Sequence, residues 1–129
     1  MVLDIALHDD DRVDARFDGV EVVTRQDGTA PAPFDLFLAS IGTCSGFYVG
    51  QFCRRRGIGT DGIRIRQTAI RDEDSGMVVR IDVDVELPAE FPGKYRAAVV
   101  RAAEACSVKK HLATPPEIRI SARGAGVAT

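Results

Sequence analysis

Charge of one sign, long apolar runs and paired cysteine motifs are all missing from this sequence. Its 17 basic and 19 acidic residues leave a formal net charge of -2. That balance offers no electrostatic reason for nucleic acid or an anionic lipid surface to bind. No apolar run approaches the roughly 18 residues of a spanning helix. The first twelve residues, MVLDIALHDDDR, carry acids where a secretory signal would carry bases. A cytoplasmic protein with no membrane partner is expected. Cysteine is scarce, with three residues (Cys44, Cys53 and Cys106) and no C-x-x-C pair. An odd number excludes a fully paired disulfide scaffold, and the spacing excludes a four-thiolate zinc site. With only His8 and His111 as imidazoles, no metal centre is expected. Internal repeats and low-complexity segments are absent as well.

What is present is ordinary globular composition, 45% hydrophobic and 28% charged, in a chain of 129 residues. That length suits one domain over 1–129. Between Val2 and Gln26, V-D-A-R-F and V-E-V-V-T alternate about Asp18-Gly19, which predicts short antiparallel strands joined by tight turns. DGTAPAP is a loop leading to Pro33, a residue suited to a first helical turn. From Phe34 to Arg56 the apolar positions 34, 37, 38, 41, 44, 48 and 52 are spaced three and four apart, and the opposite side is also apolar or small. This predicts a long, buried helix. Arg54, Arg55 and Arg56 complement the negative end of its dipole, and Gly57 can end it.

Residues 62–87 alternate on either side of D-E-D-S-G and read as a two-stranded ribbon with one buried face. Lys94 to Ala105 form a second helix with an apolar face through Tyr95, Ala98, Val99 and Ala102. C-S-V-K-K-H-L-A adds a helical turn, and E-I-R-I-S-A-R beyond Pro115-Pro116 reads as a final strand. The tail GAGVAT reads as frayed. The order predicts an α+β domain, a mainly antiparallel sheet packed on a long buried central helix and a second helix.

The chemistry lies with the cysteines. Cys44 sits in G-T-C-S-G. Two glycines inside a helix cost about 1 kcal/mol each relative to alanine, so something must come close there: another backbone, or a small substrate reaching the sulfur. A buried thiol used as filler and a reactive thiol both fit. Cys106 precedes SVKKHL, where unpaired N–H groups and a helix dipole favour thiolate, although it also suits an ordinary apolar contact. Cys53, nine residues after Cys44, falls on the opposite helix face at about 100° per residue and belongs to the core.

Two segments, PFDLFLASIGTCS (Pro33 to Ser45) and CSVKKHL (Cys106 to Leu112), resemble the osmotically inducible protein C and organic hydroperoxide resistance (OsmC/Ohr) family. The element order resembles that family over nearly the whole chain. The resemblance implies an intertwined homodimer and a thiol peroxidase that reduces organic hydroperoxides. Cys44 would be its peroxidatic and Cys106 its resolving cysteine, joined in an intramolecular disulfide. Regeneration would come from a dithiol, in the best-known branch a lipoylated protein, with no metal or bound cofactor.

Hydroperoxide-resistance members place a glutamate after the helix-starting proline, paired with an arginine from the amino-terminal strands that stabilises the thiolate. Here Phe34 stands at the glutamate position, with Asp35 about 100° away around the helix. Arg16 and Arg25 are the candidate arginines. Without a cation, a buried thiol has its pKa raised. Phe34, Gly42, Phe47 and Tyr48 are the candidate substrate-pocket residues. The alternative function is a non-catalytic binding protein that uses this apolar region for a small hydrophobic or thiol-reactive ligand.

Overall fold

The structure, a computed structural model, describes residues 1–124 and the backbone of residues 127–128. Strands β1 (Asp4–Leu7), β2 (Val13–Phe17) and β3 (Val20–Thr24) form an antiparallel sheet in that order. Asp18 and Gly19 both take left-handed backbone angles, φ 48° and 76°, as a two-residue hairpin turn requires. Helix α1 (Pro33–Arg55) follows, then the antiparallel pair β4 (Arg64–Arg71) and β5 (Val78–Glu86). A 3-10 turn leads into α2 (Arg96–Glu104), and α3 (Ser107–Ala113) completes the helices. Two short strands, β6 (Arg123–Gly124) and β7 (Val127–Ala128), pair with each other. The architecture is α+β as expected, with the strands divided among separate small antiparallel sheets.

The ends of α1 follow from local chemistry. Pro33 occupies its first turn, and the Asp35 carboxylate accepts the Ala32 N–H at 3.1 Å. Arg54 and Arg55 lie in the last turn, and Gly57, at φ 66°, turns the chain away. By length and composition α1 is apolar enough to cross a bilayer, with a mean hydropathy of 1.3. This corrects the expectation that no run approaches that length.

Within the chain, only one stripe of α1 is buried: Ile41, Ser45, Val49 and Cys53. The expected all-round burial is therefore corrected, and Phe34 and Phe47 stand exposed. The buried stripe is also rotated by one residue from the expected 41, 44, 48 and 52. Ser45 explains the rotation, since its hydroxyl donates to Ala103 O at 3.0 Å and so satisfies itself where α1 meets α2. The core is Val49, Cys53, Phe91 and Val99, flanked by residues of β4, β5 and α2. Phe52 and Tyr95 pack edge to face at 5.8 Å, and the Arg56 guanidinium covers the Phe52 ring at 3.8 Å.

In β4 and β5, Ile65, Gln67 and Ala69 share the inward face with Ile81, Val83 and Val85, while arginines and acids alternate outward. The ribbon stands as predicted. The final strand is corrected in part: Arg123 enters β6, but residues 117–121 form no strand among the described residues, and Ile118 and Ile120 are 81% and 94% exposed. The alternation is there, but a strand also needs a partner edge, and among the described residues, 117–121 are paired with none. The frayed tail is corrected in part, since β6 and β7 pair; Ala125, Gly126 and Thr129 lie outside the described residues.

The β1–β3 sheet carries a buried carboxylate, Asp14. Arg12 grips it from Nε at 2.9 Å and Nη2 at 3.0 Å, and His8 Nε2 lies at 3.0 Å. The Arg12 hydrogen bond outweighs desolvation and, with help from His8, brings the Asp14 pKa down to about 2. A depressed carboxylate pKa stabilises the fold fully above the unfolded value of 3.8, and this support is lost as pH falls toward about 2. Urea midpoints should therefore drop steeply between pH 4 and about 2 in the native chain, and less steeply in Asp14→Asn.

Candidate active site: two cysteines where α3 meets α1

Cys106 is the N-cap residue of α3. Its sulfur accepts the Lys109 N–H at 3.4 Å and lies 3.8 Å from Ile41 O. A thiol in place of a capping hydroxyl thus joins the start of α3 to α1, one turn before Cys44. This junction brings Ser107 over Cys44, with Ser107 Oγ 3.6 Å from Cys44 Sγ. Cys106 is buried, Cys44 is part-exposed, and both are free thiols.

The electrostatics at Cys44 contradict the expectation of a raised pKa. Desolvation pushes the Cys44 thiol up. The Val108 N–H, the Ser107 hydroxyl, the Cys106 thiol and the Ser107 N–H pull it down further, to about 7 from an ordinary 9.0. The start of α3, where a thiolate at Cys106 is expected from the sequence, lowers the pKa of Cys44. It does the work assigned to a cation by presenting hydrogen-bond donors to the charged sulfur. Cys53, by contrast, is fully buried in the core, and burial raises its pKa.

The other candidates separate. Arg16 binds Glu21 at 3.1 Å and reaches Asp14 at 3.8 Å, while Arg25 binds Asp10 at 3.1 Å and Asp11 at 3.5 Å. Neither bonds Cys44 within the chain. Asp35 is committed to the start of α1. Phe34 stacks edge to face on Phe37 at 5.5 Å and lines an apolar cavity of about 510 Å³ with Leu38, Arg71, Met77 and Leu112. Phe47 and Tyr48 pack on each other at 5.3 Å, away from that cavity. Gly42 belongs to an open groove of about 580 Å³ that runs along Gly46 and Gly50. A third cavity, about 410 Å³, lies between α1, β5, α2 and α3 and is lined by Ile41, Ile81, Val83, Val100 and Leu112. Among the described residues, no group of three or more His, Cys, Asp or Glu could hold a metal ion.

The close approach anticipated at the glycines is made by a side chain. Gln67 Nε2, from β4, donates to Leu38 O at 2.8 Å, and a methyl at Gly42 would overlap Gln67 Oε1. Gly42 therefore leaves room for a glutamine that ties the ribbon to α1. In the native chain, Gly42→Ala should be nearly neutral, because about 1 kcal/mol of helix propensity offsets a hydrogen bond of similar worth. In a Gln67→Ala background the same change should stabilise by about 1 kcal/mol. A denaturant double-mutant cycle reads the difference.

Ser107 and the Val108 N–H were not legible as functional groups from the sequence. The available signal was a hydroxyl directly after Cys106, in a segment already suspected of starting a helix.

An α+β domain with a long central helix, whose mid-helix thiol meets a second cysteine at a helix start, is the class that fold and site define. Residues 26–121 match the family described as OsmC-like protein, and the chain belongs to that family. No curated protein matches it significantly in sequence. Among solved structures it is similar to a putative osmotic stress induced and detoxification response protein from Psychrobacter arcticus 273-4 (21% identity, 85% of this chain and 86% of that chain, TM-score 0.71). An OsmC-like protein from Mycoplasma pneumoniae matches at 14% identity over 88% and 87% of the two chains, TM-score 0.65. The organic hydroperoxide resistance protein OhrB of Bacillus subtilis matches at 20% identity over 86% and 90%, TM-score 0.51.

Proposed function

We propose that the protein is a thiol peroxidase that reduces organic hydroperoxides, with Cys44 as the peroxidatic and Cys106 as the resolving cysteine. The observation that carries this reading is a part-exposed Cys44 with its pKa lowered to about 7, beside a second, buried free thiol. The Cys44 thiolate attacks the terminal oxygen of ROOH, the O–O bond breaks, and the alkoxide takes a proton to leave as ROH. Cys44 is then a sulfenic acid. The Cys106 sulfur attacks Cys44 Sγ and expels water, closing a disulfide. A dithiol, of which a lipoylated protein is one example, reduces that bond by exchange and becomes the disulfide itself. No bound metal or cofactor enters this cycle, which suits the reducing cytoplasm.

The cavity beside Ile41 supports an alkyl substrate on its apolar side, where Ile41, Ile81, Val83, Val100 and Leu112 favour a hydrocarbon group over water, while Asp84, Glu104 and Lys109 make the rest of its wall polar. A homodimer is part of the same reading. β1–β3 contribute no residue to the core cluster, and Ile5, Leu7 and Val20 on them, with Ile118 and Ile120 further along the chain, are exposed and offer an apolar surface to a second copy. Sedimentation should give twice the chain mass of 13.9 kDa.

The test is the rate at which Cys44 reacts with tert-butyl hydroperoxide compared with hydrogen peroxide. Faster reaction with the alkyl peroxide supports the proposal, and rates like those of a free thiol with both refute it. The binding-protein reading draws on the apolar cavity at Phe34, and is favoured instead if a hydrophobic ligand saturates both native protein and Cys44→Ser without peroxide turnover.

A further inference from the structure

The hydroxyls around Cys44 are mostly spent. Ser40 donates to Phe37 O at 2.6 Å, Thr43 to Ala39 O at 2.8 Å, and Ser45 to Ala103 O at 3.0 Å. Each satisfies a main-chain carbonyl and has no donor left for a neighbouring sulfur. Ser107 Oγ differs, because its one hydrogen-bond partner among the described residues is Cys44 Sγ, at 3.6 Å. A thiolate can only accept, so in the ionised site the serine must be the donor. No guanidinium or ammonium group bonds Cys44 among the described residues. Arg16 and Arg25 are held by acids of the β1–β3 region.

We propose that Ser107 is the positioning residue of the reactive cysteine: its hydroxyl donates to the Cys44 thiolate and takes the place of a cation at this site. The proposal rests on the reading of Cys44 as the reactive thiol. Position 107 suits the role. It is the first residue of α3, and the Cys106 cap on Ile41 O sets where it stands over α1. Its backbone is held further by His111, whose Nδ1 donates to Ser107 O at 2.6 Å. The other ionisable groups on the adjoining α2 and α3 are Arg96, Arg101 and Glu104 on α2 and Cys106, Lys109, Lys110 and His111 at α3. Of these, only the Cys106 thiol is among the groups that bond Cys44.

The experiment is alkylation of Cys44 by iodoacetamide, followed by peptide mass mapping between pH 5.5 and 9.5. It is run on the native chain, Ser107→Ala, Ser107→Gly and Ser107→Thr, with circular dichroism to verify each fold. Loss of the hydroxyl in Ala and Gly should raise the alkylation midpoint by about one pH unit, and slow the reaction at pH 7 by about twofold, because a fall of about fivefold in thiolate fraction is partly offset by a more nucleophilic thiolate. Threonine, which keeps the hydroxyl, should restore the native profile. Folded Ala or Gly variants with the native midpoint would overturn the proposal, as would a threonine variant that behaves like alanine. Because no peroxide is used, the outcome is separable from the peroxidase reading. A shifted midpoint in a protein that does not turn over hydroperoxide upholds Ser107 and refutes the enzyme. Native titration in Ser107→Ala with normal turnover does the reverse.

Discussion

Cys44→Ser is expected to reduce hydroperoxide consumption to the uncatalysed rate, a loss on the order of 10³-fold or more, because no other exposed thiolate replaces it. Cys106 is buried and Cys53 lies in the core on the far face of α1. Cys106→Ser should behave differently. One equivalent of peroxide is still consumed, the sulfenic acid on Cys44 accumulates and can be trapped with dimedone, and recycling through the disulfide stops. Both variants are read by steady-state peroxide assay and intact mass. The lowered pKa is only part of the activation. A shift from 9.0 to about 7 raises the thiolate fraction at pH 7 about 50-fold, while each thiolate becomes about eightfold less nucleophilic, for a net gain of about sixfold. Most of any peroxidase rate must come from placing the peroxide and protonating its leaving alkoxide.

The second large effect concerns stability. Val99→Ala is expected to lower stability by about 2–3 kcal/mol, since Val99 is fully buried against Val49, Cys53 and Phe91, and the lost methyl groups leave a cavity between α1 and α2. For a domain of this size that is a fall of roughly 8–12 °C in melting temperature. Calorimetry or a urea titration measures it. A loss under about 1 kcal/mol would mean that α1 and α2 are not packed as described. The Cys44 alkylation midpoint should stay near its native value in Val99→Ala while the protein remains folded, because the bonds that lower it come from Ser107, Val108 and Cys106.

The sequence announced those elements whose pattern is enforced locally. The alternation of β4 and β5, the proline at the start of α1 and the Arg54–Gly57 ending all stand where spacing put them. The buried stripe of α1 departs from the apolar spacing by one residue because Ser45 is polar yet satisfies its hydroxyl inside the helix contact. Residues 117–121 have the alternation of a strand, but strand geometry needs a partner edge and local pattern carries no information about one. The site was legible only as residue types. Cys44 and Cys106 stand out by their local sequence, and the nine-residue spacing puts Cys53 on the opposite face, in the core. That α3 would lend its first N–H groups and the Ser107 hydroxyl to Cys44 depends on how two helices meet, 63 residues apart in the chain. The phenylalanine in place of a glutamate suggested a sluggish thiol, and the donors at the start of α3 reverse that expectation for the pKa.

The most direct test of a peroxidatic Cys44 resolved by Cys106 is a stoichiometric dose of cumene hydroperoxide, followed by non-reducing peptide mapping. The account predicts one disulfide, between the peptides carrying Cys44 and Cys106, with Cys53 still a free thiol. Both cysteines recovered reduced, or a disulfide involving Cys53, would contradict it.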